Sequence, residues 1–429
     1  PLPAMNEGRP SRTRHARGWR RPPYLSAVGP GLVTGAADDD PSGIATYAQA
    51  GATHGYALLW PVVLAWPFLT AFQFTCAEIA RVTGKGLAAN LNAHLPRWAV
   101  WGVVLLLLGA NIFNIASDIA AMGEAARLVT GWNRPALMAG FALLSLGLQV
   151  FVPYHLYVGL LKWLTLSLFA YVGVVLVAEV PWAAFLAGLW PSLPAGSATT
   201  VVAILGTTIS PYLFFWQSAQ EIEEMQLHRR PPLFQRPRGA NQALTRLALD
   251  SGAGFLVTMV ISLCIIAATA ATLHGAGGAS ITTAAEAAAA LRPIAGDFAF
   301  ALFACGIIGT GLLAVPVLAG SAAYALAEVM GWRAGLELKP REAAGFYAVI
   351  ALSVLAALAI DMAGIDPMQA LFWTAVANGL VAVPVMVAIM LMASRRAVMG
   401  RFRAAGAQAV LGWGAVALMA GAAAAMLLT

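Results

Sequence analysis

Apolar runs long enough to cross a bilayer follow one another along almost the whole chain, and polar residues gather in short gaps between them. About 20 apolar residues in a helix span the roughly 30 Å of hydrocarbon. On that measure the pattern predicts eleven transmembrane helices, at 26–50, 56–81, 98–127, 135–152, 156–180, 199–224, 247–274, 295–328, 343–363, 367–393 and 407–428. The one long polar gap, 225–246, is rich in Pro and Arg. An all-α integral membrane protein follows.

Polar residues enter the apolar runs at a few points. In the first span, "TGAADDDPSGIATY" (Thr34–Tyr47) places Asp38, Asp39 and Asp40 before Pro-Ser-Gly. Pro41 lacks an N–H and its ring obstructs a helix, so the segment should break there. A break inside a membrane frees carbonyls that lipid cannot satisfy, and three carboxylates are costly at that depth unless a cation offsets them. Solvated acids at a helix end are the bland alternative, but apolar or small residues flank the triad on both sides. The sixth span repeats the device, with Thr207-Thr208-Ile209-Ser210-Pro211 interrupting an apolar run. The two breaks lie five spans apart. Two inverted repeats of five helices, 26–180 and 199–393, with an additional helix at 407–428, give the architecture of amino-acid-transporter-like folds, whose site lies at the midplane between the breaks. A third interruption, Thr374 to Asn378-Gly379 in the tenth span, reads either as local unwinding beside the site or as helix packing through small residues.

Charge fixes the orientation. Of 25 Lys and Arg residues, only Arg127, Arg134 and Arg292 fall on one side of this layout. A missed helix would destroy that asymmetry, so the rest lie inside, with a basic cytoplasmic tail at 1–25 and the C-terminus outside, in the cell (plasma) membrane. The chain is 60% hydrophobic and 10% charged, too little charge to cover a soluble domain of its 429 residues. Cys76, Cys264 and Cys305 sit in apolar runs without a CxxC pair, and the six histidines form no cluster. No nucleophile motif or phosphate loop points to an enzyme, and the basic residues are explained by topology rather than by nucleic acid. No cofactor and no obligatory protein partner is implied.

Three further groups carry weight. Asn111, Asn114 and Asp118 share a face of the third span, which should look into the bundle or a water-filled path. Glu221, Glu223 and Glu224 end the sixth span, where they oppose the helix dipole; they form a cation-attracting mouth or pair with the Arg-rich loop that follows. Glu78 is placed to pair with Arg81, and Trp60, Trp101 and Trp182 fit interfacial belts.

The stretch "DPSGIATYAQAGATHGYALLW" (Asp40–Trp60) resembles the first-helix signature of the Nramp family of divalent-metal transporters, and Ser210-Pro211-Tyr212 falls where that family has Met-Pro-His. The resemblance implies that Asp40 is a metal ligand and that positions 43, 207 and 210 complete the site. It also shows departures. The family's asparagine is Gly43, its methionine is Ser210, and the alanine whose carbonyl binds metal is Thr207. Two histidines are replaced by Tyr212 and Gln217, and of a helix-three acid pair Asp118 remains while Ala121 replaces the glutamate. Losing the thioether removes the preference for soft ions, and smaller side chains leave room for a hydrated Mg2+. This pattern resembles the branch called Nramp-related magnesium transporters. The expected function is alternating-access transport of Mg2+ and Mn2+ without proton coupling, with Asp39, Asn114, Asp118, Tyr212, Gln217 and Asn378 along the pathway. The alternative is a proton-coupled Mn2+/Fe2+ symporter.

Overall fold

The computed structural model describes residues 34–35, 38–152, 156, 163, 166–237, 239–274, 281, 283–362 and 366–428, and all regular structure among them is helical. The main helices are α1 (Pro41–His54), α2 (Trp60–Thr83), α3 (Leu87–His94), α4 (Arg97–Thr130), α5 (Arg134–Phe151), α6 (Phe169–Val177), α7 (Ala198–Thr208), α8 (Pro211–Leu227), α9 (Ala240–Thr272), α10 (Ala299–Met330), α11 (Ala344–Asp361), α12 (Pro367–Ser394) and α13 (Gly406–Leu428). Nine described segments are long and apolar enough to cross a membrane, with α7 and α8 together forming one. They match nine of the eleven expected spans. The first and fifth expected spans lie partly outside the described residues.

Both expected breaks are present. Thr34, Gly35 and Asp38 are helical, Asp39 and Asp40 are not, and α1 begins at Pro41. Asp40 is its N-cap, and proline suits the first helical position because the missing N–H is unpaired there anyway. The same Asp-Pro pair starts α12, where Asp366 accepts from the N–H groups of Met368 and Gln369. In the sixth span α7 stops at Thr208, Ile209 and Ser210 leave the helix, and α8 restarts at Pro211.

The helices around the breaks pack through small residues. α1 lies on α9, α8 on α2, α7 on α12, and α4 along α10. A Cβ added at Gly51 would stand 2.3 Å from the carbonyl oxygen of Ile266, and one at Gly206 would stand 2.2 Å from that of Ala375. Large apolar side chains such as Leu143, Phe151, Leu176 and Leu352 face outward, as lipid-facing helices require.

One alternative is decided and two expectations change. α12 runs unbroken through Asn378-Gly379, and Gly379 instead lets α12 approach α7, since a Cβ there would meet the Val202 carbonyl at 2.9 Å. Trp60 is buried, with its indole N–H donating to the Ser192 carbonyl at 2.8 Å, whereas Trp101 and Trp182 are exposed. Glu78 accepts from the Gln408 amide at 2.6 Å, and Arg81 turns to Glu221 at 3.8 Å.

Candidate functional site

Asp40 sits where the two breaks meet. Its Oδ1 accepts the Ser42 hydroxyl at 2.6 Å and the Gly43 N–H at 2.8 Å, which is the capping geometry of α1. Its Oδ2 accepts the Tyr212 hydroxyl at 3.1 Å, from the first turn of α8. The carboxylate is thus held from both broken spans. A carboxylate accepts about four hydrogen bonds, so three donors leave acceptor capacity on Oδ2.

Hydroxyls stitch the breaks together in a fixed direction. Ser42 gives its proton to Asp40, so the Thr207 hydroxyl, 3.3 Å away, donates to Ser42. Thr208 gives its proton to the Ile204 carbonyl at 2.7 Å, so the Tyr47 hydroxyl donates to Thr208 at 2.9 Å. Ser210 shares its proton between the carbonyls of Thr207 at 2.7 Å and Gly206 at 2.9 Å. Those bonds tie down the frayed end of α7 and engage one side of the Thr207 carbonyl. Gly43 closes the gap: a Cβ there would stand 3.3 Å from the Thr207 hydroxyl and 3.4 Å from the Tyr47 ring. The glycine therefore lets the broken ends approach, where the sequence suggested a roomier cavity. Asp40, Ser42, Thr207, Ser210 and Tyr212 are all buried.

The expected residues fall into groups. Asp40, Gly43, Thr207, Ser210 and Tyr212 come together, linked by Ser42. Gln217 is tied elsewhere, accepting the Thr34 hydroxyl at 2.6 Å. Asn114 and Asn378 form a reciprocal amide pair, at 2.9 and 3.1 Å, that joins α4 to α12. Asn111 donates to Ser321 and to the Leu318 carbonyl of α10, both at 2.8 Å. Asp118, one turn beyond Asn114, is fully buried and neither oxygen is hydrogen-bonded. It lies within electrostatic reach of Asp40 and of Asp361 at the end of α11. Asp39 is buried with one bare oxygen, and Asp38 with two. Ser42, Tyr47 and Asp361 were not among the residues expected at the site. Ser42 could have been found, because Asp-Pro-Ser is a capping signal as well as a break; Asp361 stands at a helix end with no local motif.

Four buried carboxyls, with no ion pair to Lys or Arg among the described residues, are expensive to keep charged without a cation. The side-chain atoms that touch the Asp40 carboxylate are both hydroxyl oxygens, and the described residues hold no group of three or more His, Cys, Asp or Glu placed to hold a metal. This donor set suits a hard ion held loosely by one carboxylate and several hydroxyls.

The far end of α8 is strapped shut. Arg81 donates to the Pro231 carbonyl at 2.8 Å, while the N–H groups of Leu233 and Phe234 donate to the carbonyls of Arg81 and Val82 at 3.1 and 3.2 Å. Glu221 faces Arg81, Glu224 pairs with Arg230 and Arg246 at 3.3 Å, and Glu223 accepts from the Tyr324 hydroxyl and the Leu336 N–H. The glutamates thus pair with the Arg-rich loop and its surroundings.

Residues 31–429 match the family described as natural resistance-associated macrophage protein-like, or Nramp. A divalent metal cation transporter, MntH, of Deinococcus radiodurans is 28% identical over 418 residues, covering 94% of this chain and 88% of its own. The MntH of Yersinia pestis is 30% identical over 67% of this chain and 69% of its own. The metal transporter Nramp6.2 of Populus trichocarpa is 33% identical over 258 residues, and that match spans 45% of the poplar protein. In fold, the chain is similar to the manganese transporter of Eremococcus coleocola, with a TM-score of 0.74 over 93% of this chain and 85% of that one at 17% identity. Mhp1, a nucleobase-cation-symport-1 family transporter, aligns with a TM-score of 0.55 at 15% identity, covering 92% of each chain. A match across both breaks and nearly every helix places this multi-pass membrane protein: it belongs to the Nramp family.

Proposed function

We propose that this chain carries divalent cations across the plasma membrane by alternating access, with Asp40 as the charged ligand, and that Mg2+ and Mn2+ are its cargo. The observation that carries the reading is the buried Asp40 carboxylate, gripped by groups from both broken spans of a protein whose named relatives move divalent metals or manganese. Thr207, Ser210 and the Gly43 backbone complete the site. Oxygen donors without a thioether favour hard ions, which is the character of the Nramp-related magnesium transporters. The ion is cargo, so no cofactor and no enzymatic step enter the reading.

Eleven spans in a five-plus-five inverted repeat, at 26–180 and 199–393, with an extra helix at 407–428 and a basic tail at 1–25, are part of this proposal. Its support is the pairing of helices. α1 on α9 and α8 on α2 exchange when each span is moved five places, and α4 on α10 maps onto itself. The arginines around the α8 strap support a cytoplasmic position for that end and for the N-terminus, with the C-terminus outside.

A proton-coupled Mn2+/Fe2+ symporter is the second reading, and one observation favours it. Asp118 lacks the neighbouring glutamate of the family pattern, yet it is a fully buried carboxyl with neither oxygen hydrogen-bonded, a group that a proton would neutralise. Reconstitution in liposomes with Mg2+, Mn2+ and an internal pH dye tests both readings. Mn2+ uptake that Mg2+ competes with and that leaves lumen pH unchanged supports the first. Uptake indifferent to excess Mg2+ and accompanied by acidification supports the second.

A further inference from the structure

A carrier that has delivered an ion must turn round before it takes another, and on that return Asp40 has no cation beside it. The structure shows what it has instead. Oδ1 accepts the Ser42 hydroxyl at 2.6 Å and the Gly43 N–H at 2.8 Å, and Oδ2 accepts the Tyr212 hydroxyl at 3.1 Å. Asp38, Asp39 and Asp118 each keep at least one oxygen bare, so this donor set singles out Asp40. Donors aimed at a carboxylate do part of what a cation does, because bonds to the charged form favour it. Two of the three come from side chains, and Ser42 and Tyr212 are both 0% exposed. The Thr207 hydroxyl, 3.3 Å behind Ser42, polarises that bond further. A hydroxyl is also a donor that can turn. A cation reaching Oδ2 repels the phenol proton of Tyr212, the O–H swings about its C–O bond, and a lone pair then faces the ion.

We propose that Tyr212 and Ser42 are positioning residues for the return of the unloaded carrier: their hydroxyls stand in for the cation on Asp40 while the site crosses without one. The inference rests on the transport reading and deepens it. Access of water decides which crossing the hydroxyls serve. While the site is open to either side, a water can replace a missing donor. While it is closed to both, none can, and a lost hydroxyl leaves a buried charge short of a partner. The loaded carrier crosses with the ion itself on Asp40 and needs the hydroxyls less. The two donors therefore bear on the unloaded crossing above all, and they let the carrier return with neither ion nor proton on Asp40. Histidine at position 212, the residue of the family pattern, can carry a proton there; tyrosine supplies a donor without titrating near neutral pH.

The test compares two movements of isotopic Mn2+ in liposomes carrying the full chain, with the membrane potential clamped. Net uptake into a Mn2+-free lumen needs the unloaded crossing; exchange between equal Mn2+ concentrations on the two sides does not. The expected result is that Tyr212→Phe and Ser42→Ala each lower the ratio of net uptake to exchange at least about fivefold, as the loss of one hydrogen bond to a charged group would. Both rates come from one preparation, so a smaller folded fraction cancels in the ratio. Tyr47→Phe cuts the 2.9 Å bond from Tyr47 to Thr208, between the same broken spans, without touching Asp40, and should leave the ratio as in wild type. A ratio unchanged by Tyr212→Phe or by Ser42→Ala overturns the proposal, and so does an equal drop in Tyr47→Phe. Loss of exchange together with net uptake in both donor variants also overturns it, because the hydroxyls then serve the loaded carrier as much. Wild-type protein that moves Mn2+ in neither assay counts against the transport reading, and this inference falls with it.

Discussion

Replacing Asp40 by asparagine separates two duties that the carboxylate combines. Asparagine caps a helix about as well as aspartate, so the bonds to Gly43 and Ser42 can persist while the charge is removed. We predict that Asp40→Asn melts close to wild type in detergent yet transports at background level in liposomes. Asp40→Ala should lose transport and about 1 kcal/mol of stability with the cap. Transport by Asp40→Asn at the wild-type rate would place the cation elsewhere. Ser210 bears on selectivity. Methionine there supplies a soft thioether, so Ser210→Met should shift preference from Mg2+ towards Mn2+ or Cd2+, read from competition in uptake assays. Gly43→Asn alone should impair uptake of every ion, because its Cβ presses on Thr207 across the closed break. Unchanged uptake by Gly43→Asn would show that the breaks separate more readily than these contacts imply.

At the scale of helices, glycine positions decide how close the broken spans come to their neighbours. Gly206→Ala would set a Cβ 2.2 Å from one backbone atom and 2.5 Å from another, with no side chain free to yield. The expected cost is about 1–3 kcal/mol, measured as a lowered unfolding temperature. Gly102→Ala, in α4 with nothing near its Cβ, is the control and should be neutral or slightly stabilising. The Asn114–Asn378 amide pair should show a coupling of about 0.6–2 kcal/mol in a double-mutant cycle; no coupling would make it an incidental contact. Most of this level could be read from the sequence. Apolar runs and Asp-Pro or Ser-Pro breaks are local signals, and they located the nine described spans and both interruptions. The role of Gly379 could not be read, because Asn-Gly inside an apolar run looks the same whether the helix unwinds or another backbone approaches. Arg81 likewise has Glu78 at a favourable spacing, and only the packing of α8 against α2 shows that Glu221 takes it. The capping of Asp40 was legible in Asp-Pro-Ser-Gly, whereas its bond to Tyr212 spans 172 positions and depends on the fold.

For the molecule as a whole, the open question is what moves with the metal. Tyr212, which donates to Asp40, does not titrate near neutral pH, and Gln217 carries no titratable group, which predicts Mn2+ uptake without lumen acidification. Acidification that tracks uptake and vanishes in both Asp118→Asn and Asp361→Asn would instead establish a relay through those two acids. The strap on α8 carries a different kind of consequence. Its bonds differ in how water reaches them: Arg81 and Glu221 are mostly enclosed, while the side chains of Arg230 and Arg246 are 40% and 49% exposed where they meet Glu224. Exposed pairs are worth about 0.2–1 kcal/mol and weaken as salt shortens the Debye length, whereas enclosed ones barely respond. Ionic strength on that face alone thus acts as a dial on the strap. If releasing it limits the cycle, raising inert salt from about 0.02 to 0.5 M in the medium bathing inside-out vesicles should speed turnover by up to several-fold, and Glu224→Gln should already sit at the fast end and ignore the salt. The protein would then sense the electrolyte of the compartment it serves through two arginines that never touch the transported ion.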